Sequence, residues 1–178
     1  MSIPHRLTAE RLRELVDYNQ DTGEFFWRSE IRLGFHNSVV GHKAGEKAGT
    51  ARKSDGRNVI RIEGRTYLGY RLAWLWMAGR WPVGEIDHID GNPVNDCFSN
   101  IREVSRSVNQ QNLHRPQKQK KSSEFLGVFA NKPGRRHPWR ASICLDKKQI
   151  YLGAFMTESK ASAAYLEAKR VLHVGCTL

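Results

Sequence analysis

Cysteine is scarce and scattered. Cys97, Cys144 and Cys176 are the three in 178 residues, and none forms a C-x-x-C pair. An odd, widely spaced set excludes a disulfide framework and a four-cysteine zinc site. Long apolar runs are missing too. The longest strongly apolar stretch, 72–78 (LAWLWMA), has seven residues, far short of the ~20 that cross a bilayer. The opening MSIPHRLTAE has no apolar signal core, so the expectation is a soluble, cytoplasmic chain with no membrane partner. Acidic residues are few: 18 Asp+Glu stand against 29 Lys+Arg, a net charge of +11. That imbalance is uncommon among enzymes of small metabolites and suits a polyanionic partner. Hydrophobic residues at 39% still permit a buried core, and wholesale disorder is disfavoured.

The pattern of residues predicts an α+β organisation. Thr8 is placed to cap a short helix in which Leu12, Leu15 and Val16 share a face. A turn at Asp21-Thr22-Gly23 leads to a strand at 24–27, and 28–58 reads as loop with at most a short strand. A hairpin is expected from 59–62 and 66–68 across Glu63-Gly64, then a helix over 70–78 stopped by Gly79. Strands follow at 85–89 and 101–104, separated by the turn Asp90-Gly91-Asn92-Pro93. Ser105 or Ser107 would cap a helix carrying Asn109. Residues 114–123 have linker composition. Beyond them strands are expected at 125–130, 139–145 and 149–155, then a helix capped by Thr157 with Ala161, Ala164, Tyr165, Ala168 and Leu172 on one face.

The chemistry concentrates in IDHIDGNPVNDCFSNIREVSRSVNQQN, 86–112. Asp87 and His88 are adjacent on a strand, so their side chains point to opposite faces. A carboxylate at 87 joined by the amide oxygen of Asn109 makes a hard-oxygen pair, which favours one divalent Mg²⁺ or Mn²⁺ per site over zinc. His88 is then available as a base, since an unperturbed imidazole titrates near ~6.5. Asn100, just ahead of the second strand, is placed to pin the intervening loop and aim His88.

These residues resemble the HNH nucleases, whose core is a ββα-metal fold, in the form common in phage homing endonucleases. The matching text is Asp87-His88-Ile89-Asp90-Gly91-Asn92-Pro93, then Asn100-Ile101-Arg102, then 107–112 (SVNQQN), with the lead-in Tyr70-Arg71-Leu72-Ala73-Trp74 and Trp81-Pro82. The resemblance implies that His88 is the general base, that Asp87 and Asn109 hold the metal and that Asn100 orients His88. The loop departs from relatives: it reads Asn95-Asp96-Cys97-Phe98 where Asp-Asn-Arg is usual, and Ile101 stands in place of a usual Leu.

The last segment resembles the Apetala-two-type DNA-binding domain, through Gly127-Val128, Trp139-Arg140-Ala141, 151–155 (YLGAF) and Ala163-Ala164-Tyr165. That resemblance implies a three-stranded sheet in the major groove of double-stranded DNA, a groove that admits a strand pair. Arg140 and Ser142 would then reach bases, and Lys132, Arg135 and Arg136 would reach phosphates. Between 111 and 140 there are eight Lys/Arg, including Arg115, Lys118, Lys120 and Lys121, against one acid, Glu124. Arg52, Lys53, Arg57, Arg61 and Arg65 form a second basic group.

The expected organisation is thus an N-terminal helix and hairpin region, 1–84; an HNH ββα-metal motif, 85–114; a basic linker, 115–123; and a separate three-stranded antiparallel sheet packed on one helix, 124–178. The expected function is a metal-dependent DNA endonuclease, monomer or homodimer, that nicks one strand per active site in a phage-infected or prophage-bearing cell. The competing readings are a non-catalytic, sequence-preferring DNA-binding regulator and, more weakly, an RNA-binding protein.

Overall fold

The computed structural model describes residues 7–33, 39–116 and 122–178. The chain forms two compact units, Met1–Val104 and Ser105–Leu178. Lys118, Lys120 and Lys121 lie outside the described residues.

In the first unit the Thr8 hydroxyl accepts from the Arg11 amide and caps α1 (Ala9–Leu15). This helix ends one residue sooner than its apolar face suggests. β-branched Val16 is its C-cap and opens β1 (Val16–Asn19), which pairs antiparallel with β2 (Glu24–Trp27). The stretch expected to be loop holds four short strands: β3 (Ile31–Leu33), β4 (Val39–His42), β5 (Lys47–Ala48) and β6 (Thr50–Ala51). Each is only two to four residues long, so their composition gives little sign of them. β5 completes the sheet β1-β2-β5, and β3 pairs with β4. β6 joins β7 (Asn58–Ile62) and β8 (Arg65–Leu68). The hairpin between β7 and β8 turns through Glu63 (φ 48°) and Gly64 (φ 79°), the two left-handed positions that a two-residue type I′ turn requires.

α2 (Gly69–Ala78) follows, and Gly79 ends it in the left-handed region. β9 (Glu85–His88) and β10 (Ile101–Val104) make an antiparallel pair in which Ile101 faces His88 and Arg102 faces Asp87. Ile86 and Ile101 enter the same buried cluster as Leu12, Phe25, Ile60, Leu72 and Leu75. Each such side chain contributes about 1.5–3 kcal/mol on full burial, and together they hold the β9–β10 pair against α2 and the N-terminal sheets.

In the second unit the Ser105 hydroxyl accepts from Val108 N and caps α3 (Arg106–Gln111). The residues that receive α3 come from the far end of the chain. Gly175 N donates to Gln111 Oε1 at 3.1 Å, and Thr177 Oγ1 donates to the buried Asn112 Oδ1 at 2.6 Å. The buried Lys169 ammonium donates to the Leu113 carbonyl. Position 175 has no room for a side chain, because a Cβ there would stand 2.3 Å from the Val108 carbonyl oxygen. These contacts explain why the division between units falls ahead of α3 and not in the basic stretch 115–123.

β11 (Val128–Ala130), shorter than the expected 125–130, pairs with β12 (Trp139–Leu145), which pairs with β13 (Lys148–Phe155). α4 (Glu158–Leu172) is capped by Thr157 and closes the core with Ala161 and Tyr165 against Val128, Ala141 and Ile143. The β12–β13 ladder passes from Ala141↔Gly153 to Ser142↔Tyr151, which leaves Leu152 of β13 as the extra residue. β12 keeps its alternation, with Ala141 and Ile143 buried and Arg140 and Cys144 exposed, but Ser142 is buried as well. Ser142 therefore does not stand exposed beside Arg140 as strict alternation predicts.

Candidate active site and nucleic-acid interface

β9 delivers Asp87 and His88, 5% and 6% exposed. Because Arg102 lies directly opposite Asp87 in the ladder, its guanidinium meets the carboxylate: Nε and Nη2 lie 2.9 and 2.8 Å from Asp87 Oδ2. The His88 ring turns the other way. Its Nε2 lies 3.0 Å from Oδ1 of Asp96, which is 3% exposed, and the Tyr70 ring meets it edge-on at 5.3 Å.

Several elements grip Asp96. The Tyr18 hydroxyl donates to its backbone carbonyl at 2.6 Å. Burial and the Asp96 charge push the Tyr18 phenol upward, so it stays a neutral donor. The β1–β2 turn lies against the same loop: Phe98 N donates to Gln20 O at 2.9 Å, and a Cβ on Gly23 would stand 2.5 Å from the Asp96 carbonyl carbon. Gly69 opens α2 against the carboxylate itself, where a Cβ would stand 2.6 Å from Asp96 Oδ2. Glycine at 69 is required by that close approach.

Asn100 ties the 90–95 loop. Its Oδ1 accepts from Asp90 N at 3.0 Å, and its Nδ2 donates to Asp90 Oδ1 at 3.0 Å and to Asn95 O at 2.8 Å. The base of the loop is tied as well, with Ile89 N donating to Asn100 O and Gly91 N to His88 O. Burial pushes the Asp90 carboxyl up, but hydrogen bonds from the Asn95 amide, Asn92 N and the Asn100 amide outweigh it and hold Asp90 below its ordinary value.

Asp87, His88 and Asn100 thus gather on one strand pair of the first unit. Asn109 sits on α3 in the second unit, its backbone N–H donating to the Ser105 carbonyl at 3.0 Å. Among the described residues, no three or more His, Cys, Asp or Glu side chains converge as a metal cluster. The expected donor set is of another kind, one carboxylate and one amide oxygen, and its hard-oxygen chemistry fits Mg²⁺ or Mn²⁺. Asp87 is buried, and its Oδ2 is shared with the Arg102 guanidinium.

Residue type and spacing alone assign no role to three residues around this centre. Arg102 and Tyr70 stand within the quoted motifs, but their partners are set by register and packing. Asp96 stands out in the sequence only as a departure from the usual loop; its signal is a carboxylate eight residues beyond a histidine, on the far side of the Gly91-Asn92-Pro93 turn.

In the second unit Lys132, Arg135, Arg136 and Arg140 line a cavity of about 450 Å³ together with His137 and Tyr151. Arg140 is exposed, with its guanidinium over the Phe129 ring at 5.5 Å, and Tyr151 is 63% exposed. The turn and the outer sheet face thus share one basic concavity. Ser142 is buried, and its hydroxyl accepts from Gln149 Nε2 at 2.8 Å. Arg115 is exposed.

Residues 69–111 match the family model described as HNH endonuclease. Protein 3.8 of Escherichia phage T7 is 33% identical over 78 residues, which is 42% of this chain and 61% of that protein. A solved structure described as DNA binding and cleavage by the HNH homing endonuclease I-HmuI aligns at 22% identity with a TM-score of 0.39, over 55% of this chain and 50% of that one. The chain therefore spans less than two thirds of the length of either.

Proposed function

We propose that this protein is a metal-dependent DNA endonuclease that hydrolyses one phosphodiester per active site. The observation that carries the reading is the buried His88–Asp96 pair beside Asp87, on a strand whose loop Asn100 latches, within the segment that matches the HNH endonuclease family.

Each side chain has a separate task. Asp96 accepts the Nε2 proton of His88 and so directs the basic lone pair of the ring to Nδ1. His88 takes a proton from the attacking water. Asn100 keeps the loop closed and the imidazole aimed. Asp87 and Asn109 would hold the divalent cation, which when bound withdraws electron density from the phosphate and stabilises the leaving oxygen. Arg102 offsets part of the Asp87 charge and fixes the orientation of that carboxylate. In the second unit Lys132, Arg135, Arg136 and Arg140 bind duplex DNA, with the sheet acting as an Apetala-two-like reader and Arg115 and the basic stretch at 118–121 tracking phosphates. Ser142 contributes by fixing Gln149 in place, not by meeting bases.

Supercoiled plasmid incubated with Mg²⁺ or Mn²⁺ should pass to the nicked circle, and EDTA should stop it. His88→Ala should lower the rate by about 10²–10⁴-fold while DNA binding persists; a variant that cuts normally would remove His88 from the mechanism. Asn109→Ala should raise the metal concentration needed for cutting. The low exposure of His88, 6%, favours one competitor, a non-catalytic DNA-binding regulator. The same plasmid assay decides between them, since a regulator leaves the DNA supercoiled at every metal concentration.

A further inference from the structure

The turn joining β6 to β7 concentrates charge next to the His88 centre. Residues 52–57 carry Arg52, Lys53 and Arg57 against a single acid, Asp55. The turn is tightly closed: Arg52 N donates to Arg57 O at 2.8 Å, and Gly56 N to Arg52 O at 2.8 Å. Arg52 takes up most of Asp55, with Nε donating to Oδ1 at 2.8 Å and Nη2 to Oδ2. Arg57 is left the weaker share. Its Nε stands 3.3 Å from Asp55 Oδ2, and that buried nitrogen makes no hydrogen bond.

Packing links Arg57 to the proposed cutting centre through one aromatic ring. Its guanidinium lies over the Tyr70 ring, 5.2 Å from the centroid, and the same ring meets His88 at 5.3 Å. The turn also flanks the loop that Asn100 latches, since a Cβ on Gly56 would stand 3.3 Å from Val94 Cγ1. A guanidinium held on an aromatic face, its Nε buried toward Asp55 and its side chain partly exposed, can offer its outer N–H groups as the fork that phosphate oxygens accept. About a third of the Arg57 side chain, 31%, is exposed.

We propose that the 52–57 turn is a phosphate-binding element of the cutting centre, in which Arg57 grips the DNA phosphate beside the one that is cut. This rests on the nuclease reading, deepens it, and can fail separately from it. The alternative is that Arg57 serves only to pack Tyr70.

The test uses the full chain, with binding measured in the His88→Ala background so that DNA stays intact. Arg57→Gln should lower the slope of log affinity against log salt by about 0.9, the share of one phosphate. Asp55→Asn should tighten binding, because it releases both arginines from their acid. A purely structural role predicts weaker binding or no change from either variant, and thermal melting shows that each is folded. A duplex with one neutral methylphosphonate beside the mapped cut should bind the parent more weakly and Arg57→Gln no more weakly than unmodified DNA does. An unchanged salt slope in Arg57→Gln, or an equal methylphosphonate penalty in parent and variant, would overturn the proposal. If the wild-type chain cuts no DNA, the nuclease reading fails, and with it the placement beside a cut; the salt slope still reports whether Arg57 meets a phosphate.

Discussion

Asp96→Asn leaves an oxygen facing His88 Nε2 but removes the charge that stabilises a protonated ring. Cleavage at saturating DNA should fall roughly 10- to 100-fold with affinity retained, measured in single-turnover assays. Unchanged turnover would reduce Asp96 to a packing residue. Gly69→Ala tests the same spot from the other side. A Cβ there would stand 2.6 Å from Asp96 Oδ2 and 3.1 Å from Asn58 Cβ, so about 1–3 kcal/mol of stability should be lost in chemical denaturation. At this scale the sequence exposes residue types and spacing, which suffice to single out Asp87, His88 and Asn100. It does not expose partners. Arg102 meets Asp87 because of ladder register, and Asp96 meets His88 because the Tyr18 hydroxyl and the β1–β2 turn, some 75 residues earlier, hold the loop in place.

Glu103 on β10 shows how one side chain fastens an entire element. It accepts from Arg80 and from the amides of Gly84 and Val83, and these bonds, Arg80 first, hold its carboxyl down at about 2. A depressed value means that the tie is fully present above the ordinary carboxyl range near 4.5 and is lost as pH falls toward about 2. Hydrogen exchange at Val83 and Gly84 should accelerate through that window, and in Glu103→Gln the acid transition should vanish. Thr157→Ala should cost about 1 kcal/mol through the uncapped α4, read from the thermal midpoint. Elements with strong period or turn chemistry are legible, as at 24–27, 139–145 and the Glu63-Gly64 turn. The four short strands within 28–58 are not, because their pairing is main-chain and their side chains carry little pattern. The extra residue at Leu152 is invisible for a related reason: it shows only in the pairing of β13 with β12, whose own alternation continues through Ile143 and Cys144.

For the molecule as a whole, the proposed DNA binding by a chain of net charge +11 should be steeply salt-dependent. Replacing Lys132, Arg135 and Arg136 together by Ala should flatten the salt slope by roughly 2–3 without changing the cutting rate at saturating DNA. A slope unmoved by the triple change would take this turn out of the interface. The joint between the two units has a consequence for recombination. A fragment trimmed to 69–111 would carry the Asn109 helix away from Lys169, Gly175 and Thr177, the side chains and backbone that seat its end. Grafting a different tail module at the polar stretch would strand that helix in the same way. A chimera keeps its seat only if the chain is spliced between Val104 and Ser105, so that helix and tail are inherited as one piece.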